Sequence, residues 1–439
     1  MEKRHLVIAP TNSTANDQYS YTNGQQYIRW DISNSGILVA KDLRLEFEVE
    51  FFKSNNNAPL MTEDYNIDPT VAYQSLIQTL NITSRSYQTS LERINQYPRL
   101  AKHIIGQLHS KGDLDNNLMV EQHSRGYGNT QDNDNVVPSG LALNPQLLAA
   151  RKMVVSKKKV SMRLLCGVCL SDPIDLDASN GMTFEITLNN NSAVLFGADA
   201  ADGYYTISKP RLHAPVLMRN DADLAAARAQ PQRMLNFLSF TSIFDVLNTA
   251  GTTSITHRLG LRNTLGVFTS FCPTADLNNF AKQSLAFYNP GLEKITFFKN
   301  SQQFPLYYTV EVDRNTNAVQ VNQGSTLPQI LWNYQSSHRA TKDIPSTMVQ
   351  PNTIRGSVER NGLSLFGAGV SFDEISNVGV NTSVDNLSVD IDATLVTPSG
   401  LTAVNRNTDD QTSSYSAFFF YLNANTVVIQ QGQSASVMN

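Results

Sequence analysis

Residues 42–52 read Asp-Leu-Arg-Leu-Glu-Phe-Glu-Val-Glu-Phe-Phe, and apolar side chains alternate with charged ones along most of this stretch. A period of two predicts a β-strand with one face in a core and the other in water. Burial of each of its five alternating apolar side chains is worth roughly 1.5–3 kcal/mol. A shift of one residue would bring carboxylates into the core, so the register of this strand is firmly set.

Similar apolar runs continue along the chain and predict further strands. They occur at residues 71–82, 160–170, 182–188, 204–218, 235–247, 253–271, 295–298, 306–312, 387–395 and 415–429.

Helical periodicity is confined to a few segments. Residues 91–108 carry apolar side chains at about 3.6-residue spacing, and we expect Pro98 to split them into two short helices. Further short helices are predicted at 221–230, which Pro231 ends, and at 275–287. The chain is therefore predicted to be mainly β-structure.

The order of these elements is similar in the two halves of the 439-residue chain, which is long enough for two domains. We predict a first sandwich at 1–220, a linker at 221–235 and a second sandwich at 236–439. Each half contains a long polar stretch, at 112–138 and 314–353, which we expect to form surface excursions. Two antiparallel β-sandwiches follow from this pattern, and the eight-stranded jelly roll is one common form of them.

Composition limits the function classes. Charged residues make up 16% of the chain and the formal net charge is −4, without the basic excess that a protein condensing nucleic acid by itself normally has. Three cysteines are too few for a disulfide framework. With no apparent secretory signal or apolar run of membrane-spanning length, we expect synthesis in a reducing compartment.

Motifs for catalysis or metal binding are weak. Cys166 and Cys169 match C-x-x-C, but strand positions three apart point to opposite faces, so we expect two ordinary thiols. The seven histidines are scattered, and Asp390 and Asp392 alternate with apolar residues, as on a solvated strand face. No phosphate-binding loop or nucleophile elbow is present. We therefore predict no catalytic, cofactor-binding or metal-binding residue, and no enzyme activity.

The strongest basic cluster is Lys157, Lys158 and Lys159. These lysines are candidates for facing nucleic acid or an internal membrane. The alternative is a solvated strand entry, where lysine also discourages unwanted strand pairing.

In pattern and order the chain resembles the double-jelly-roll major capsid proteins of tailless icosahedral phages, virophages, polinton-like elements and large eukaryotic DNA viruses. The resemblance implies an all-β fold of two tandem antiparallel eight-stranded jelly rolls with short helices and long surface loops. It covers nearly the whole chain and is carried by residues 43–51, 73–77, 91–108, 205–213, 379–381, 387–395, 417–421 and 427–429.

The resemblance implies a structural protein that assembles as a homotrimer, with six barrels forming a pseudo-hexagonal tile of an icosahedral shell. Expected partners are copies of itself, neighbouring capsomers, and vertex and minor capsid proteins. The genome would be enclosed without sequence-specific binding, and an internal membrane is a further candidate partner. The expected location is the virion, assembled in the host cytoplasm or nucleus, and residues 112–138 and 314–353 would form outer towers or subunit contacts.

Two alternatives stay open. A minor or vertex capsid protein would form pentamers. A carbohydrate-binding or glycoside-cleaving β-sandwich would need an aromatic platform or an isolated carboxylate pair, and the chain has only two tryptophans, Trp30 and Trp332.

Overall fold

The structure is a computed structural model. It describes residues 2–14, 16–54, 56–57, 67–68, 71–85, 90–108, 157–171, 173–196, 203–230, 232–280, 284–285, 287, 290, 292–303, 310–311, 367–372, 379–393, 395–397, 411–412, 414–430 and 436–438.

Strands dominate the described part of the chain. They are β1 (Glu2–Ile8), β2 (Gln18–Tyr19), β3 (Tyr27–Ile32), β4 (Ile37–Leu38), β5 (Arg44–Lys53), β6 (Ile77–Ser84), β7 (Ser90–Asn95), β8 (Lys158–Arg163), β9 (Ile174–Asp175), β10 (Met182–Leu188), β11 (Gly203–Met218), β12 (Gln232–Leu247), β13 (Gly251–His257), β14 (Thr264–Pro273), β15 (Leu292–Lys299), β16 (Gln302–Gln303), β17 (Val310–Glu311), β18 (Gly367–Ser371), β19 (Leu387–Ala393), β20 (Val396–Thr397), β21 (Gln411–Thr412), β22 (Tyr415–Gln430) and β23 (Ser436–Met438).

The helices of the described residues are short. They are α1 (Tyr97–Leu108), α2 (Gly167–Leu170), α3 (Asn191–Val194) and α4 (Asp221–Arg228), with 3₁₀ turns at Ala40–Asp42, Ala72–Leu76 and Thr274–Asp276. The prediction of an all-β chain with short helices is confirmed.

The described strands form three large sheets. The first has the order β8-β5-β11-β4-β9, with β1 and β2 also paired to β11. The second runs β18-β14-β22-β12-β7-β6-β10-β3, with β23 on β22, and the third runs β13-β19-β15-β16, with β17 on β15. One small sheet pairs β20 with β21. The second sheet therefore contains strands from both halves of the chain.

The first core lies between the first sheet and the β7-β6-β10-β3 part of the second. Leu45, Phe47, Val49 and Phe51 of β5 are buried in it, and the glutamates between them are partly exposed. Strand β5 pairs antiparallel with β11 and β8. The half-buried strand predicted for residues 42–52 is therefore confirmed.

The second core lies between the β18-β14-β22-β12 part of the second sheet and the third sheet. Strand β19 buries Leu387, Val389, Ile391 and Ala393, while the residues between them are only partly covered. These side chains pack in one cluster with Phe419 and other residues of β22, β14 and β15. The alternation predicted at 387–395 has the same cause as that at 42–52: one face packs and the other meets water.

A long two-stranded ribbon links the two cores. Strands β12 and β22 pair antiparallel over sixteen consecutive positions, from Gln232 opposite Gln430 to Leu247 opposite Tyr415, without a register shift. On its other side β12 meets β7 in a parallel pair at Thr241 and Arg93, which joins the two halves of the second sheet.

Both faces of strand β22 are covered at residues 417–422. Phe418 and Phe420 pack into the first core, whereas Phe419 and Tyr421 between them pack into the second. A strand that is buried on both faces needs apolar side chains at every position. This explains the continuous apolar run at 417–422. Through these residues the ribbon contributes side chains to the cores of both sandwiches.

One sequence prediction was wrong at residues 91–108. The segment is not two helices split by Pro98; it is strand β7 followed by the single helix α1. Gln96, with φ 57°, separates the two elements. Pro98 lies in the first turn of α1, where a missing N–H costs no helical hydrogen bond.

Two further predictions need correction. The strand predicted at 160–170 ends at Arg163, and its last part forms the helical turn α2. Within the described part of 275–287 the helical content is limited to the 3₁₀ turn Thr274–Asp276, and Asn278 has φ 56°, which a right-handed helix cannot contain.

Several predictions lie outside the described residues. These include the polar stretches 112–138 and 314–353 and most of the strand at 306–312. Helix α4 falls in the predicted linker, and β12 begins at Gln232, inside the same range. The domain division itself stays a prediction.

The doubly covered strand β22 leads to a stability prediction. Phe420→Ala removes a fully buried ring and is expected to lower the free energy of unfolding by about 3–5 kcal/mol. Phe244→Ala, on the neighbouring strand and with a 50% exposed ring, should cost only about 1 kcal/mol. Urea denaturation of both variants measures the difference, and equal costs would contradict the burial of Phe420 in the first core.

Candidate functional site: the joint between the two sandwiches

The joint between the sandwiches contains buried charges on α1. Lys102 and Asp68 form an ion pair of 2.7 Å with side chains 0% and 2% exposed, and the Lys102 ammonium also donates to the Leu285 carbonyl at 2.7 Å. Burial lowers the pKa of Lys102, and the Asp68 carboxylate opposes this. Because a buried charge that loses its partner is strongly destabilising, this pair fixes the position of α1.

Arg99 and His103 extend the contact from α1 to the ribbon. The Arg99 guanidinium lies 4.0 Å from the centre of the Phe418 ring and donates to the Ser284 carbonyl. The His103 ring packs 4.8 Å from Phe268 and 5.6 Å from Phe420, between centroids. Cation–π and aromatic contacts in a desolvated site each contribute about 1 kcal/mol. Helix α1 therefore joins the first half of the chain to β14 and β22 of the second.

Glu92 of β7 is a second link. One carboxylate oxygen accepts the Gly167 N–H at 2.8 Å and the Phe240 N–H at 2.7 Å, and the other accepts the Val168 N–H at 2.9 Å. Complete burial raises the pKa of Glu92 to about 7, although these three N–H groups act in the opposite direction. A single side chain thus ties β7 and the turn α2 to β12.

The turn α2 lies in close contact with β12. A Cβ atom added at Gly167 would lie 2.5 Å from the Ser239 Cα, so only glycine fits there. This close approach brings the N–H groups of Gly167 and Val168 to the same carboxylate as that of Phe240.

Asp177 is a third link, at the start of the ribbon. Its side chain is 5% exposed and accepts from Arg228 of α4 at 2.9 Å and from Arg233 of β12 at 2.5 Å. Burial raises the pKa of Asp177, but the two guanidinium groups outweigh it and hold the pKa below the usual range. The link fastens the chain that leaves the first half onto the first sandwich.

The predicted basic cluster lies on the outer face of the first sheet. Lys157 pairs with Glu48 at 3.0 Å and Lys159 with Glu46 at 2.9 Å, on the alternating face of β5. These carboxylates offset much of the local positive charge. A contact of Lys157, Lys158 and Lys159 with nucleic acid or a membrane stays a prediction.

The other candidates for chemistry remain apart. Asp390 and Asp392 are partly exposed and, with Lys294 and Gln303, line a shallow groove of about 230 Å³ on the third sheet. Within the described ranges, no group of three or more histidine, cysteine or acidic side chains is arranged to hold a metal ion. None of the described helices is long and apolar enough to cross a membrane.

Sequence reasoning missed the joint because its charges are far apart in the chain. Asp68, Glu92, Arg99 and Lys102 form no motif, and the last three meet Phe240, Ser284 and Leu285, which lie 148–185 residues further along the chain. The sequence did contain one indication, because Arg99, Lys102 and His103 interrupt the apolar face predicted for α1. Their role became clear only from the structure, in which α1 packs against the ribbon.

His257 forms a separate buried contact inside the second sandwich. Its Nε2 lies 3.2 Å from an Asp245 carboxylate oxygen, and its Nδ1 contacts the Tyr421 hydroxyl. Burial lowers the pKa of His257, although Asp245 raises it. The contact links β13 to β12 and β22 in the neutral form of the ring.

A test of the Glu92 link uses Glu92→Gln. The amide nitrogen of glutamine cannot accept a hydrogen bond, so at least one of the three N–H groups loses its partner, and the free energy of unfolding should fall by about 1–3 kcal/mol. Glu185→Gln, at a half-buried position of β10, is the matched control and should change it by less than about 0.5 kcal/mol. Chemical denaturation at neutral pH measures both, and an unchanged midpoint for Glu92→Gln would refute the link.

A second test concerns pH. Because the pKa of His257 is lower in the folded chain than in the unfolded chain, the folded protein becomes less stable as the pH falls below the ordinary histidine value of 6.5. The loss of stability between neutral and mildly acidic pH should therefore be smaller in His257→Gln than in the wild type. Thr256→Ala, at the exposed neighbouring position, should keep the wild-type dependence. Identical pH profiles for the wild type and His257→Gln would exclude this role.

Comparison with known proteins shows which folds this architecture resembles. No protein-family model and no curated protein matches the chain. Among solved structures, it superimposes on a chain of the PBCV-1 virus capsid with a TM-score of 0.56 at 11% identity, covering 100% of this chain and 97% of that one.

Two other solved structures agree. A chain of the Sputnik virophage gives a TM-score of 0.52 at 11% identity, covering 100% of this chain and 88% of that one. The Faustovirus major capsid protein gives 0.53 at 6% identity, with 98% and 90% covered. These are double-jelly-roll capsid proteins, and the resemblance drawn from the sequence is confirmed at the level of fold. The chain has the double-jelly-roll fold.

Proposed function

We propose that this chain is a major capsid protein that assembles as trimeric, pseudo-hexagonal capsomers into an icosahedral shell around a genome. The observation that carries the proposal is the full-length superposition on viral capsid proteins, at TM-scores of 0.52–0.56. It covers 98–100% of this chain, and not just one β-domain.

The geometry of the joint supports this role. A shell subunit must hold its two barrels at a fixed relative orientation, because six barrels of a trimer have to form one tile. A shared ribbon whose strand β22 is buried on both faces, reinforced by Glu92 and by the Lys102–Asp68 pair, supplies such rigidity. Symmetric repetition then converts modest contacts into a closed container.

The domain division belongs to the same proposal. We place the first sandwich at 1–220, a linker at 221–235 and the second sandwich at 236–439. Helix α4 supports this division, because its eight residues contain no buried side chain and it lies between the two long strands β11 and β12.

Partners and location follow from the proposed role. Copies of the chain would form the trimer and meet neighbouring capsomers, with vertex and minor capsid proteins closing the shell. The protein would act in the virion, after assembly in the host cytoplasm or nucleus, and without enzyme activity. An internal membrane and a genome are further candidates for the inner side.

The experiment is a mass measurement followed by imaging. Purified protein should have a mass of about 146 kDa, three times the 48.6 kDa chain, by light scattering. Negative-stain electron microscopy should then show hexagonal tiles or closed shells.

The alternatives give different results. Pentamers would favour a minor or vertex capsid protein. A strict monomer that binds oligosaccharides would favour the carbohydrate-binding alternative, and either outcome would overturn the proposal.

A further inference from the structure

Cys166 and Cys169 lie together on the helical turn α2. Cys166 directly precedes the turn, with extended backbone at φ −147° and ψ 165°, and Cys169 is the third residue within it. Positions three apart share one face of a helix, unlike positions three apart on a strand. The Leu170 N–H donates to the Cys166 carbonyl at 3.0 Å, which closes the turn. The expectation that the two cysteines lie on a strand and point to opposite faces is therefore wrong.

The spacing suits a disulfide. Residues three apart in an α-helix have Cα atoms about 5 Å apart. Disulfides usually join Cα atoms about 4.4–6.8 Å apart. Cys272, the third cysteine, is buried on β14 with its sulfur 3.6 Å from the Ser284 carbonyl oxygen, and so serves as an internal reference.

The pair lies at the joint between the sandwiches. Cys166 is 0% and Cys169 3% exposed. Between the two cysteines lie Gly167 and Val168, whose N–H groups bind the same carboxylate. A covalent bond from Cys166 to Cys169 would enclose these two donors in one small ring.

We propose that Cys166 and Cys169 are a redox-active dithiol, which closes to a disulfide and fixes the turn α2 against Glu92 and β12. The oxidant is a small-molecule disulfide such as oxidised glutathione. The two protein thiols lose two protons and two electrons and form one S–S bond. The S–S bond of the oxidant breaks, and its two sulfurs take up the electrons and protons as two thiols.

The consequence for a shell rests on the proposed function. The chain would be made with reduced thiols inside a cell and would meet oxidising conditions once the particle is outside. The disulfide would then stiffen the joint of the finished shell, and reducing conditions in the next cell would release it.

The test uses the full-length chain, reduced and then incubated with oxidised glutathione at mildly alkaline pH. Alkaline pH is chosen because burial raises the pKa of the Cys166 thiol, and the thiolate is the reacting form. Free thiols are counted by maleimide labelling after denaturation, and the bond is located by peptide mass spectrometry.

We expect the wild type to keep one free thiol of three, with a mass decrease of about 2 Da for the two hydrogens lost. The matched control Cys272→Ser should lose both of its thiols, whereas Cys166→Ser and Cys169→Ser should form no intramolecular bond. The oxidised wild type should melt about 2–5 °C above the reduced form.

Three results would overturn the proposal. They are three thiols persisting in the wild type, a bond that includes Cys272, and equal melting temperatures of the oxidised and reduced forms. The wild-type peptide map decides the connectivity even if a serine variant fails to fold. All readouts are made on the chain itself, so failure here leaves shell assembly untouched, and failure of assembly leaves the thiol count unchanged.

Discussion

The pairing of β12 with β22 is the constraint on which the rest of the structure depends. Sixteen consecutive pairs span about 50 Å at the rise of an antiparallel strand. One end packs in the second core and the other reaches the first, where Leu235 and Val427 are buried. Neither sandwich can complete its core without this ribbon. The two sandwiches are therefore expected to behave as one body, although the chain builds them one after the other.

Buried polar groups specify how that body is joined. Apolar packing alone tolerates sliding, because many side-chain arrangements bury similar areas. The carboxylate of Glu92 accepts from three backbone donors at fixed places, and Lys102 is satisfied only where Asp68 and the Leu285 carbonyl meet it. A displaced joint would leave charges buried without partners, which costs several kcal/mol. Such links favour one relative orientation of the sandwiches.

Many of the strands could be predicted from the sequence, because their burial on one face leaves a pattern of alternating residues. Strands such as β5 and β19 have one face towards solvent, so apolar and polar residues alternate along them. The positions predicted to be buried are those buried in the structure. Segments whose environment is set by distant residues were less readable. The apolar spacing of residues 91–95 predicted a helix, but these residues form strand β7, and the helix begins only after Gln96, with Pro98 in its first turn. The C-x-x-C pair was predicted on a strand because the contact of α2 with the distant Glu92 carboxylate cannot be inferred from the local sequence. The joint could not be predicted from the sequence, because its charged groups and their partners come together only in the folded chain.

Native-state hydrogen exchange tests the sharing of the ribbon most directly. Local opening free energies differ between independent cooperative units and agree within one unit. Amides of β12 and β22 should show one common protection level along the whole ribbon, equal to that of the global unfolding reaction. Two distinct levels, with a break near Thr241 where β7 meets β12, would show that the sandwiches open separately and would contradict the account.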